Sequence, residues 1–172
     1  GLSTTAWFEY GTISGSFGSK TSPQRVSGAS DTAVSVVVSG LSPGNTCYYR
    51  IVAQNNAGTT YGNEMSFTTV DTSAPNCLIS INNGALYTNS SIVSLTLSAT
   101  DDVGVTGYYL SAISSTPLAS ATGWTSITST TSYTGSISYT VSSGDGDKAV
   151  YVWYKDAAGN VSTAVSDSIT LD

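Results

Sequence analysis

Along this chain apolar residues recur at every second position, in runs broken by Gly, Ser, Asn and Asp. Period two sends alternate side chains to opposite faces of a strand, and such runs, spaced about 8 to 12 residues apart, are the pattern of β-sandwiches. Helical period is missing throughout. The predicted fold class is therefore all-β: two tandem antiparallel β-sandwiches with no helices. In the first part the alternation predicts strands over 4–11, 24–27, 33–41, 47–53 and 59–69, with Trp7 as a core anchor and Val36, Val37 and Val38 forming a β-branched run. Residues 70–76 read as a linker stiffened by Pro75. Seven strands are then predicted over 77–81, 92–99, 107–112, 123–127, 137–141, 150–154 and 166–171, with Trp124 and Trp153 in the core.

A length of 172 residues suits two small domains. Composition narrows the function. Only 9% of residues are charged, the net charge is −6, and Ser plus Thr make up roughly a third of the chain, so hydroxyls rather than charges keep the surface wet. That balance suits an extracellular protein. The five basic residues, Lys20, Arg25, Arg50, Lys148 and Lys155, form no stripe that could release counterions from a phosphate backbone, so no nucleic acid partner is expected. No apolar run approaches the roughly 20 residues of a membrane helix, Gly1 opens neither a signal peptide nor an anchor, and no membrane insertion is expected.

Histidine is absent, which removes the commonest general base and transition-metal ligand. Serine is abundant, but no G-x-S-x-G or S-x-x-K motif supplies an activating base. The carboxylates fall in turns except for Glu9 and Glu64, so no pair flanks a cleft as glycoside hydrolysis requires. The expectation is no enzyme, no catalytic residue and no required cofactor. Cys47 and Cys77 lack metal or redox spacing, which leaves a disulfide or two thiols.

Within 40–69, Leu41, the Pro43-Gly44 turn, the run from Tyr48 to Ala53, the turn Asn55-Asn56-Ala57-Gly58 and the closing Ser66-Phe67-Thr68-Thr69 resemble the last two strands of a fibronectin type III module. The resemblance implies that 1–69 is such a module from its third strand to its seventh, without the first two. A module of that kind has a long open edge and a half-covered core, to be completed by more of the same polypeptide or by strands from another chain. The segments DTSAP, INNGALYTNSSIVSLTLSATDDVGV, SSGDGDKAVYVWYKDAAGNVS and SDSITLD are similar to the immunoglobulin-like repeats of bacterial surface and secreted proteins, with the complete domain at 77–172. The fibronectin pattern places a Tyr six residues after the Leu of L-x-P-G, and here Cys47 stands in that place. Since the family sets that turn at the pole where the chain leaves the module, the resemblance implies an interdomain disulfide between Cys47 and Cys77. Two free thiols and intermolecular bonds are the alternatives.

The immunoglobulin-like arrangement also implies that Asp101, Asp102, Asp156 and Asn160 lie on loops at the pole near Asp71. Oxygen ligands from several loops are what Ca²⁺ takes, and these five residues are its candidate ligands; the competing reading is that Asp and Asn simply cap turns. A second acidic turn, Asp145-Gly146-Asp147, is a weaker candidate. Eleven tyrosines could leave some rings exposed to glycans or to a subunit interface. The expected role is a non-catalytic module of a bacterial extracellular or cell-surface protein, a rigid spacer or filament assembly unit. Its partners are then copies of itself or a strand-donating chain. The alternatives are an adhesin for glycan or protein ligands and an accessory module of a secreted polysaccharide-degrading enzyme.

Overall fold

The computed structural model describes residues 3–27 and 30–172. Among them there is no helix, and the strands form two six-stranded sheets, so the chain is all-β. It divides into two compact units, Gly1–Val70 and Asp71–Asp172. The boundary falls at the start of the expected linker. Asp71 and Pro75 are buried, and the Asn160 amide donates to the Asp71 carbonyl, so 71–76 belongs to the second unit.

In the first unit β1 (Thr4–Gly11) and β4 (Thr46–Asn55) lie side by side at the centre of the sheet. The short strands β2 (Ser19–Lys20) and β3 (Gln24–Val26) flank β1, while β5 (Gly58–Tyr61) and β6 (Met65–Thr68) flank β4. The strand expected over 59–69 is thus two. Tyr61 pairs with Val52 and Met65 with Tyr49, so three residues, 62–64, face two on β4 and the ladder is interrupted by one extra residue; the Gly62 amide still donates to the Ile51 carbonyl at 2.8 Å, and a Cβ there would lie 2.7 Å from the Ile51 side chain. Pairing of Phe8 with Ile51 and Tyr10 with Tyr49 sends Ala6, Phe8, Tyr10, Cys47 and Tyr49 to one face. The other face carries Trp7, Val52, Glu9 and Arg50. Trp7 is only half-buried there, not the core anchor its size suggested, whereas Val52 and Ala6 are buried.

The larger departure concerns 33–41. This segment joins no sheet, although its sequence alternates like a strand.

The second unit contains β7 (Asn76–Ile81), β8 (Tyr87–Thr88), β9 (Ile92–Ser111), β10 (Thr125–Thr140), β11 (Gly146–Asp156) and β12 (Val165–Leu171). Strands expected separately at 92–99 and 107–112 are one continuous β9, and those at 123–127 and 137–141 are one β10, because the residues between them keep pairing through a bend. The first half of β9 pairs with β7, and its second half pairs with β11. The ladder thereby folds over on itself. Ile81, Val93, Leu95, Leu97, Val105, Val150, Val152, Tyr154 and Ile169 meet inside it as one core, the sandwich arrangement. Burying each such aliphatic side chain stabilises the fold by about 1.5–3 kcal/mol, so this unit carries its own hydrophobic core. Trp153 is fully buried, as expected; Trp124 is half-buried beside the loop 112–124, its indole N–H donating to the Leu118 carbonyl.

Candidate functional site

Two features stand out, one in each unit. In the first, the face carrying Phe8, Tyr10, Cys47 and Tyr49 forms an apolar groove of about 630 Å³, walled on its far side by Val34, Val36, Val38 and Leu41. Phe8, Tyr49 and Phe67 make a row of tilted rings across its floor, with centroids 6.2 and 5.9 Å apart. The alternation of 33–41 is expressed here: Val34 and Val38 are half-buried toward the groove, while Val37 between them is 93% exposed. No charged residue lines the groove.

The backbone of this segment is what sets it apart. Among the described residues, no backbone hydrogen bond engages 33–41; the one bond to it comes from the Gln24 side chain, which donates to the Ser35 carbonyl at 2.8 Å. An extended segment with open N–H and C=O groups along it, lying beside an open apolar face, is a template for another strand. The strand that alternation predicts over 33–41 is not formed: the segment lines the groove but joins no ladder.

Cys47 lies at the foot of this groove, buried, and Cys77 is half-buried in the second unit. Both are free thiols, so the expected disulfide is not formed. Each sulfur has a local environment of its own. The Cys47 Sγ is 3.9 Å from the Tyr48 carbonyl, and the Cys77 thiol donates to the Ser162 hydroxyl at 3.5 Å and lies 3.8 Å from the Thr163 carbonyl. Burial pushes the Cys77 thiol up, against the pull of Ser162, and a thiol held in that state is a poor nucleophile.

In the second unit, three of the predicted calcium ligands converge. Carboxylate oxygens of Asp71, Asp101 and Asp156 all lie within 4.8 Å of one another. Each is held there by its own loop. One Asp71 oxygen accepts from the Ser73 amide at 3.0 Å, and one Asp101 oxygen accepts from the amides of Val103 at 3.0 Å and Gly104 at 2.6 Å. The latter bonds form the bend in β9, where Gly104 has φ of 149° and a Cβ would lie 2.5 Å from the Ser129 hydroxyl. Asp156 ends β11 and accepts from both the backbone and the side-chain amide of Asn160, at 2.9 and 2.7 Å. Asn160 therefore stands beside the cluster and holds Asp156 in place. Asp102, the fifth predicted ligand, is exposed and outside the cluster, because β9 alternation turns it away from Asp101.

The electrostatics of this cluster are adverse. The Ser73 amide lowers the Asp71 pKa, but burial and the neighbouring carboxylates of Asp156, Asp101 and Asp102 outweigh it and raise the group above its ordinary value. Among the described residues the single ion pair is Arg50 with Glu9, at 2.8 Å in the first unit, so no Lys or Arg neutralises the three carboxylates. The weaker candidate turn is otherwise occupied: Asp147 accepts from the Thr170 hydroxyl at 2.7 Å.

The tyrosines offer less surface than their number suggested. Among the described residues only Tyr61 and Tyr87 are exposed, and Tyr61 has Arg50 stacked 4.2 Å from its ring centre. Tyr108, Tyr133 and Tyr154 pack on one another, as do Tyr109, Tyr151, Trp124 and Trp153. No protein-family model matches the chain, and no curated protein matches it.

Proposed function

We propose that the chain is a non-catalytic assembly segment of a bacterial extracellular or cell-surface protein, and that the open groove of its first unit, fibronectin-type, is covered by a strand from a second copy. The second unit, immunoglobulin-like, then acts as the rigid spacer. The observation that carries this reading is the segment 33–41, extended beside an uncharged apolar groove with no backbone partner among the described residues. Strand addition supplies backbone hydrogen bonds along one edge, and apolar residues at alternate positions of the incoming strand fill the groove. The chain's own strands have that chemistry, being uncharged and alternating over most of their length. With so few charges and a net charge of only −6, two copies meet little electrostatic resistance to association.

Light scattering across a concentration series, with negative-stain microscopy at the high end, tests this. The purified chain is expected to associate as concentration rises, into closed oligomers or fibres. Val37→Pro is the accompanying variant. The Val37 side chain faces solvent and its amide has no partner among the described residues, while proline's fixed φ suits extended backbone. It is expected to leave the monomer's melting unchanged and to abolish association. A chain that stays monomeric throughout, or a Val37→Pro variant that associates like the parent, refutes the reading.

A further inference from the structure

Asp71, Asp101 and Asp156 meet in a place where, among the described residues, no ion pair answers their charges: the Lys155 ammonium beside Asp156 is turned to the Ala119 carbonyl. Asp71 is only 7% exposed, and its Oδ2 is fully buried with no hydrogen-bond partner. The Oδ2 of Asp101 is likewise buried and unpartnered. In both residues the other oxygen holds the local turn, so turn capping accounts for one oxygen of each carboxylate and leaves the second without a role. A buried carboxylate oxygen with nothing to accept from is expensive, and native structures leave few of them. Both residues belong to a cluster with a third carboxylate, Asp156, from a different loop, and the three together form a set of hard oxygen donors.

We propose that these three residues bind a divalent cation of the hard, oxygen-seeking class, Ca²⁺ in particular. Ca²⁺ accepts carboxylate oxygens at about 2.3–2.6 Å in flexible geometry, so oxygens on opposite sides of one ion lie about 4.6–5.2 Å apart. The separations here, within 4.8 Å, fit that span. Mg²⁺, at about 2.0–2.1 Å, demands near-ideal octahedral geometry and gives up its waters reluctantly, so carboxylates from three independent segments suit the flexible coordination of Ca²⁺ better. Asn160 is a positioning residue, its side-chain amide donating to Asp156 Oδ2 and to the Asp71 carbonyl. Bound there, the cation ties the entry residue of the second unit to the bend of β9 and the end of β11. This inference does not depend on the strand-addition reading, since every residue it uses lies in the second unit.

Calorimetric titration of the full 172-residue chain with CaCl₂, paired with thermal melts in chelator and in excess Ca²⁺, tests the site. One saturable site per chain is expected, with the melting temperature raised by about 10 °C at a hundredfold excess over Kd. Asp71→Asn and Asp101→Asn keep the turn-holding oxygen and remove a charge. Each is expected to weaken binding at least tenfold, yet to melt no lower than the parent in chelator, because like-charge repulsion is relieved. Asp102→Asn, on the exposed neighbouring carboxylate, is expected to bind as the parent does. Absence of both heat and melting shift at millimolar CaCl₂ overturns the site. So does an equal loss of binding in the Asp102 and Asp101 variants, which would mean diffuse attraction to an acidic surface.

Discussion

Tyr154 is fully buried, and its hydroxyl has no partner among the described residues. Burial pushes its pKa far up, with Tyr133, Cys77 and Tyr108 adding to the effect. A folded-state value above the unfolded one means that this group's contribution is fully present below about pH 10 and is lost as pH rises beyond it. Tyr154→Phe removes the unpartnered oxygen. It is expected to leave stability unchanged or raise it by up to about 1 kcal/mol in urea unfolding at neutral pH, and to flatten the alkaline decline. Glu64 behaves in the opposite sense. The Ser14 hydroxyl at 2.6 Å and the Gly15 amide at 2.7 Å donate to it and lower its pKa from 4.5. Its contribution is thus present above about pH 4.5 and lost as pH falls through the lower folded value. Glu64→Gln is expected to make the exchange protection of the 13–16 turn less sensitive to acid, measured by amide exchange between pH 5 and 3; unchanged acid sensitivity would contradict this.

At the scale of elements, alternation announced where the chain is extended but not what each strand pairs with. Ile92 to Ala99 and Gly107 to Ala112 look like separate strands because Asp101, Asp102 and Gly104 interrupt the apolar pattern between them. In the fold the interruption is a bend: the Asp101 carboxylate takes two amides, and β10 shifts register opposite it, at Thr130. The same physical fact explains the candidate cation site. Two of its three carboxylates, Asp101 and Asp156, sit where a ladder changes register, and there a side chain substitutes for the missing backbone partner. That Asp71, Asp101 and Asp156 converge while Asp102 does not depends on the phase of β9 through the bend, which period-two counting leaves undetermined. The disulfide failed for a related reason. Counting from Leu41 put Cys47 at a turn, whereas it lies in β4 paired with Phe67, its sulfur buried at the foot of the groove, and the Cys77 thiol hydrogen-bonds to Ser162 in the second unit.

For the whole molecule, one unit has a closed core and the other does not. The second unit buries Ile81, Leu95, Leu97, Val150, Val152 and Trp153 completely, whereas Phe67 at 45% and Met65 at 59% remain exposed on the strand that borders the groove of the first. Exposed aromatic and aliphatic residues beside open strand backbone mark a surface meant to be covered. The account's central claim is that another copy covers it. Amide hydrogen exchange across 33–41 is the most direct measurement, made on dilute monomer and on concentrated, assembled protein. In the monomer these amides are expected to exchange nearly as fast as in an unfolded chain, and on assembly to slow by about a hundredfold or more as their N–H groups enter a ladder. Amides of 33–41 already protected in the monomer, or still exchanging freely in the assembled protein, would contradict it.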